Sequence, residues 1–308
     1  MKEQVFICMK YGLLTYEEFL RSKDEIEIKS VSYVGNPTSH TAMFVGNKVD
    51  YLIDNLRTVN DCLVFTQKGA RISEELLNKH LFVICDNPSF DYAYALFLNE
   101  ITSTQVSNNK YTQMENGVFI GENVQIGKNA NIEPGCLIGP DVRIGDNAYI
   151  CSQTVIKHSV IGDNFISREG AKIGTEGFGL AKDENGNLYR IPFMGNVIIG
   201  NNVEVGVNSN ISRSLAGSTV VENFTKIDSL VYVGHDTKVG SNVKIMAGVI
   251  APGFIEINDA VQIAINASIR NRIVIEKGAY IGMGATVVQS VDSGIVVVGN
   301  PAKELKKG

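Results

Sequence analysis

The chain has 308 residues, with 28 Lys and Arg against 33 Asp and Glu and a net charge of -5; that is enough for about two domains with buried cores and no disulfide or metal staples. No basic cluster is present to neutralise a run of phosphates or anionic headgroups, which argues against nucleic acid and membrane surface as partners. The longest apolar runs, such as Leu81 to Cys85 and Ile295 to Val298, are far too short for a membrane span, and Met1-Lys2-Glu3 leads into no apolar signal segment, so a cytoplasmic protein is expected.

Residues 1–103 alternate short apolar runs (Val5 to Met9, Val31 to Val34, Cys62 to Phe65, Leu81 to Cys85) with amphipathic stretches at Tyr16 to Arg21 and Ile72 to His80, which predicts a small α/β domain. Asp86-Asn87-Pro88 before the periodic Phe90 to Glu100 segment predicts a helix start, with Asp86 or Asn87 as cap and Pro88 in the first turn. The polar residues 104–117 are expected to link this domain to the next. The five cysteines, at 8, 62, 85, 136 and 151, form no CxxC pair and leave an odd thiol, so they are expected to act as small buried hydrophobes.

From Val118 an aliphatic residue recurs every sixth position: Ile120, Ile126, Ile132, Ile138, Ile144 and Ile150, and later Ile227, Val233, Val239, Ile245, Ala251, Ile257, Ile263, Ile269, Ile275, Ile281 and Val287. Six residues turn an α-helix by about 600°, about 120° off the starting face, so a helix cannot bury this set. A parallel β-helix can, with each hexapeptide forming one face of a triangular coil and Gly, Asn or Asp turning the corner. Gly121, Gly127, Gly139 and Gly145, with Asn123, Asn129 and Asn147, occupy the corner positions. The expected architecture is a left-handed parallel β-helix over residues 118–300, roughly eight to nine coils, preceded by the small α/β domain and followed by a tail at 301–308. The period breaks twice: an excursion at 175–196 with a polar middle, Lys182 to Asn187, and a polar segment from Arg213 to Val220. Loops leaving a regular solenoid are where function collects.

Four histidines are present, at 40, 80, 158 and 235, and only the last two lie in the repeat, too few for a three-histidine zinc site built from the β-helix. No metal is expected. Signals for a serine nucleophile elbow, a phosphate-binding P-loop or a dinucleotide fold are missing.

IGTEGFG (Ile173 to Gly179), GNVIIGNNVEVGVNSNISR (Gly195 to Arg213) and KIDSLVYVGHDTKVG (Lys226 to Gly240), continuing through AGVIAPG (Ala247 to Gly253) to IGMG (Ile281 to Gly284), resemble segments of the UDP-3-O-acylglucosamine N-acyltransferase family of lipid A synthesis. AMFVGNKVDYL (Ala42 to Leu52) is similar to that family's uridine-holding segment, FVICDNPSFDYA (Phe82 to Ala93) to its Asn-Pro helix start, and VGNPAKEL (Val298 to Leu305) is shared by many acyltransferases of this fold. The resemblance implies a homotrimer with sites between adjacent β-helices. Two departures bend the expectation: the family's C-terminal helical extension, which grips acyl carrier protein, has no counterpart after Asn300, and Arg272 stands where the family has a second histidine. Acyl-CoA is then the expected co-substrate, and the acceptor the amine of a dTDP- or UDP-linked amino sugar, an amino-dideoxyhexose for surface glycans. The alternatives are the carrier-protein-dependent lipid A enzyme itself and, from another class, a non-catalytic hexapeptide scaffold.

An amine attacking a thioester needs a group to take its proton and a donor for the oxyanion. His235, after core Val233 and corner Gly234, is the expected base, oriented by Asp236 or by Asp228 from an adjacent coil; Gly253 N–H is the expected oxyanion donor. The resemblance implies that Phe44 stacks on the pyrimidine, that Asn47 and Tyr51 hydrogen-bond it or a phosphate, and that Glu176 and Phe178 line the sugar site. Arg270, Arg272 and Lys277 are expected to meet the phosphates of CoA, with Asn266 and Gly282 along the pantetheine. Each has a plainer reading as well: core packing for Phe44 and Tyr51, a simple turn for Glu176 and Phe178, a solvated corner for His235.

Overall fold

The computed structural model describes residues 11–22, 28, 30–86, 89–103 and 110–305. The chain divides into two compact units, Met1–Asn108 with Phe178–Met194, and Asn109–Gly177 with Gly195–Gly308.

The first unit is built on a five-stranded sheet with Leu63–Thr66 at its centre, flanked by Leu81–Ile84 and Gly12–Thr15 on one side and by Thr41–Val45 and Ser30–Val31 on the other. Every pair is parallel. Such a sheet must be covered on both faces, which is why Leu63–Thr66 is buried at every residue. One face packs Phe19 and Tyr94 edge-on to Phe65, with ring centroids 5.3 and 5.9 Å apart. The other packs Val34, Met43, Val64 and Phe82 with Ile53 and Leu56 of a kinked 3₁₀ segment, Asn47–Thr58. His80 is fully buried at one end of the sheet; Cys62 N–H donates to its Nδ1 (3.2 Å), and its Nε2 lies 3.0 Å from Leu56 O. Burial lowers its pKa, so it is a neutral core residue with both nitrogens engaged.

The helices Tyr16–Ser22 and Phe90–Ser103 lie where the pattern predicts them, while Ile72 to His80 yields only the single turn Glu74–Leu77. The apolar run Val5 to Met9 and the Asn87-Pro88 cap lie outside the described residues. Phe178–Met194 of the excursion belongs to this unit. Leu180–Lys182 and Leu188–Arg190 form an antiparallel hairpin whose turn is tied by Asp183, which accepts from Asn185 N–H (2.9 Å) and Asn187 N–H (2.8 Å). The hairpin lies against helix Phe90–Ser103 through Tyr189 on Tyr92 (4.7 Å between centroids) and Asn99 Nδ2 donating to Arg190 O (3.1 Å).

The second unit is a three-faced parallel β-helix. Its faces are sheets of 10, 8 and 10 strands, the two larger ones each including one antiparallel strand at an end: Tyr111–Gln113 against Phe119–Gly121, and Lys303–Glu304 against Val296–Val298. Residues 111–113, expected in the linker, and 303–304, expected in the tail, therefore extend the sheets. The first face runs from Phe119–Gly121 to Thr286–Val287, the second from Gln125–Ile126 to Val274–Ile275, and the third from Asn131–Ile132 to Val296–Val298. The sixfold aliphatics form one continuous core from Ile138 to Val287. Ile126, on the first coil, is 38% exposed. Cys62, Cys85, Cys136 and Cys151 are buried thiols, and burial pushes Cys85 up to about 12, far from any reactive thiolate. No helix among the described residues is long and apolar enough to cross a membrane.

Candidate active site

The edge between the first and second faces carries all the irregularities of the repeat. Corresponding residues on successive coils are 18 apart, as in Asn123 to Asp141. The step shortens to 17 past His158, lengthens to 38 across the excursion and is 22 across the Arg213 to Val220 segment. Each change falls between a first-face strand and the following second-face strand: Val155–Ile156 to Ser159–Ile161, Lys172–Thr175 to Asn196–Ile199, and Asn210–Ser212 to Ser218–Val221. The next corner on this edge, between Tyr232–Val233 and Lys238–Val239, holds His235 and Asp236, and the two after it hold Gly253-Phe254 and Arg270 to Arg272.

His235 is 20% exposed and the Asp236 side chain 7%. Nδ1 of His235 lies 2.8 Å from Asp236 Oδ2. An ionised carboxylate only accepts, so Nδ1 carries the hydrogen and, in the neutral ring, Nε2 carries the lone pair. Asp236 is itself held: Ser214 Oγ–H donates to Oδ1, and Leu215 N–H donates to Oδ2 at 3.2 Å. Asp236 N–H donates to Thr219 Oγ1 (2.9 Å), which keeps the residue in its left-handed conformation, φ 60°. A buried polar group needs such partners to offset its lost hydration.

Gly253 lies against the imidazole. A Cβ there would sit 2.7 Å from His235 Cε1 and 2.8 Å from Nε2 and from the His235 carbonyl oxygen, so any side chain would displace the ring. Phe254 meets the imidazole edge-on at 5.2 Å, and the Arg272 guanidinium lies 4.4 Å above the Phe254 ring. Arg272 therefore stands at the exposed end of a stack, Arg272 on Phe254 on His235.

Arg213 is buried with Nε donating to Gly195 O (2.6 Å), where the excursion returns. Burial pushes its guanidinium down to about 10, opposed by the charge of Glu176. Gly195 N–H donates back to Ser214 O (3.1 Å), and Ser218 Oγ to Asn196 Oδ1 (2.6 Å), so the insertion is clipped to the re-entering chain.

The expected site residues separate by edge and by unit. His235, Asp236, Gly253, Arg270 and Arg272 share one edge, whereas Lys277 stands between the second and third faces, and Asn266 and Gly282 between the third and first. Asn266 is at a left-handed corner, φ 58°, and Gly282 N–H donates to Val297 O (2.8 Å). Asp228 is on that third edge too, with Oδ1 accepting from Ser229 N–H (2.7 Å), so Asp236 and not Asp228 orients His235. Glu176 is exposed in the β-helix unit. In the first unit, Phe178 is 73% exposed with Arg190 5.3 Å over its ring, and Tyr51 is 69% exposed beside Asp50, Asp54 and Arg71, which with it line a shallow pocket. Phe44 is half-buried between Phe90 and Tyr94, with centroids at 5.9 and 5.0 Å. The Asn47 side chain lies outside what the structure describes. Ser214, Leu215, Thr219 and Phe254 were not expected; their signal is the coil-to-coil separation of 17 to 22 residues that stacks them on His235 and Asp236. Among the described residues no three His, Cys, Asp or Glu side chains are grouped to hold a metal ion.

Residues 117–152 match the family model "Bacterial transferase hexapeptide (six repeats)". The chain is 40% identical over 147 residues to UDP-3-O-acylglucosamine N-acyltransferase 2 of Legionella pneumophila (strain Paris), covering 48% of this chain and 43% of that protein. It is 33% identical over 153 residues to a UDP-3-O-acylglucosamine N-acyltransferase of Methylorubrum extorquens, covering 50% and 43%. The chain thus matches less than half the length of these curated relatives. Among solved structures, the UDP-N-acetylglucosamine acyltransferase of Francisella novicida is 28% identical with a TM-score of 0.56, over 61% of this chain and 67% of that one. That of Bacteroides fragilis is 25% identical with a TM-score of 0.56, over 62% and 73%. By the repeat, its strand register and these neighbours, the chain is a hexapeptide-repeat protein of the left-handed parallel β-helix fold with a small α/β region before it.

Proposed function

We propose that the protein is an N-acyltransferase that moves an acyl group from a thioester to the amine of a nucleotide-linked sugar, with His235 as general base. The observation that carries this reading is the His235 imidazole held by Asp236 at 2.8 Å, its Nε2 beside a position, 253, that only glycine can fill. In the reaction the sugar amine attacks the thioester carbonyl and passes a proton to His235 Nε2. The C–N bond forms, the C–S bond breaks, and the departing thiolate takes the proton back from the imidazolium. Gly253 N–H is proposed to meet the oxyanion.

The names of the relatives favour a UDP-linked 3-O-acylglucosamine as acceptor over the amino-dideoxy sugar expected from the sequence, and the family resemblance then implies an acyl carrier protein thioester as donor in place of CoA. Acyl-CoA remains the second donor because Arg270 and Arg272 put two exposed guanidinium groups on the edge of His235. Phe44, Asn47 and Tyr51 for the nucleotide, Glu176 and Phe178 for the sugar, Lys277, Asn266 and Gly282 for the donor, and a homotrimer completing each site belong to the same proposal. The test is thiol release from acyl carrier protein and CoA thioesters against UDP- and dTDP-linked amino sugars, with His235→Ala alongside. Turnover that falls roughly 10²- to 10⁴-fold in the variant is expected. No turnover with any pair would sink the acyltransferase, and turnover surviving His235→Ala would remove its base.

A further inference from the structure

We infer that Ser214 is a positioning residue: through Asp236 it sets the tautomer and orientation of His235. This rests on the reading of His235 as the base. It starts from the lengthened step of 22 residues between coils at this edge. A regular corner turns from face to face with backbone alone; here the extra residues fold into a loop whose Ser214 side chain is fully buried against Asp236.

A serine hydroxyl has one hydrogen and two lone pairs. Ser214 Oγ accepts from Gly217 N–H at 2.7 Å and from Ala216 N–H at 3.3 Å, so both lone pairs face backbone donors and its single hydrogen is directed at Asp236 Oδ1. Leu215 N–H and His235 Nδ1–H then share Oδ2, at 3.2 and 2.8 Å. The carboxylate plane is fixed from the loop side by a hydroxyl and an amide. With the carboxylate fixed, the imidazole has one favourable orientation, Nδ1–H on Asp236 and the Nε2 lone pair beside Gly253. The loop's attachment to the rest of the β-helix uses other groups, Arg213 Nε to Gly195 O and Gly195 N–H to Ser214 O, which a change of the Ser214 side chain leaves in place.

Removing the hydroxyl leaves Asp236 Oδ1 and Gly217 N–H each without this partner in a buried setting, and the carboxylate can turn to recover a donor. The test compares wild type, Ser214→Ala and Ser214→Thr in the full chain by two readouts, steady-state kinetics and ¹⁵N spectra of histidine-labelled protein with the His235 signals assigned from His235→Ala. For Ser214→Ala, kcat is expected to fall roughly 10-fold or more with both KM values within about twofold, and the His235 ¹⁵N signals to move from the Nδ1–H pattern toward the Nε2–H pattern. Ser214→Thr, which keeps a hydroxyl, is expected to stay within about threefold of wild type and to retain the Nδ1–H pattern. An unchanged ¹⁵N pattern in Ser214→Ala overturns the assignment, whatever happens to kcat, because a purely structural serine would lower activity without moving the tautomer. If the wild type turns over no thioester pair, the acyltransferase reading fails while the ¹⁵N comparison still decides the role of Ser214.

Discussion

Two edges of the same prism ask the same conformation of their corner residues and answer it differently. Between the second and third faces the left-handed position is held by Asn129, Asn147, Asn164, Asn202 and Asn242, at φ between 54° and 60°. The neighbouring side chains form a ladder in which Lys128 N–H donates to Asp146 Oδ1, Asp146 N–H to Asp163, Asp163 N–H to Asn201 and Asn201 N–H to Asn223, at 2.6 to 2.8 Å. Between the first and second faces the same conformation is taken by Asn123 and Asp141 on the first coils, at 58° and 59°, by His158 at 46°, and on the later coils by Asp236, Phe254 and Arg272, at 60°, 61° and 59°. Asparagine visits this region cheaply, whereas other side chains give up about 1–2 kcal/mol. At the corners stacked on His235, Phe254 and Arg272 stay against their conformational cost with their side chains engaged on the imidazole and on each other. Phe224 and Ala260 interrupt the asparagine edge at φ 62° and 58°, and nothing in the structure explains them.

The sharpest way to break this contrast is to make one kind of change on each edge. Gly253→Ala puts a methyl group into the His235 ring, so thiol release is expected to fall roughly 10-fold or more; activity close to wild type would show that the ring position does not matter to turnover. Asp163→Ala on the ladder edge removes the acceptor of Asp146 N–H, and a loss of about 0.5–1.5 kcal/mol in denaturant unfolding is expected with kcat unchanged. A large loss of activity there would erase the division of labour between the edges. The smallest expected effect has the opposite sign. Arg272→Asn relieves about 1–2 kcal/mol of backbone strain and forfeits about 0.5–1 kcal/mol of exposed cation–π contact with Phe254, so stability is expected to rise by up to about 1.5 kcal/mol. The KM for the acyl donor should rise in parallel; a variant that is destabilised would mean that the stack, and not the ligand, keeps the arginine.

How much of this was legible differs between the units. In the β-helix, Ile138, Val233 or Ile263 could be placed in the core from spacing alone, because a residue every sixth position on a three-sided coil has only one inward direction. His235 was found through its Gly-His-Asp setting. Lys277, Asn266 and Gly282, expected along the acyl donor with Arg270 and Arg272, stand on the other two edges, because successive hexapeptides lie on successive faces. In the first unit the strands at Leu63–Thr66 and Leu81–Ile84 follow from their apolar runs. The segment Asn47–Thr58 gave no helical signal, because a 3₁₀ turn has no 3.6-residue period and the segment kinks at Val49.

By itself the sequence determined the prism, its core and the asparagine and glycine corners, because those depend on a local, repeated balance of aliphatic burial and turn conformation. Only the tertiary structure decided that a one-residue deletion, the excursion and the second insertion all open on the edge of His235, that the hairpin at 180–190 packs in the first unit, and that Ser214 holds Asp236. Those contacts join residues 17, 22 or more positions apart, and which of them meet depends on how many residues each coil takes to close, a quantity set by strand pairing between coils and not by any one hexapeptide.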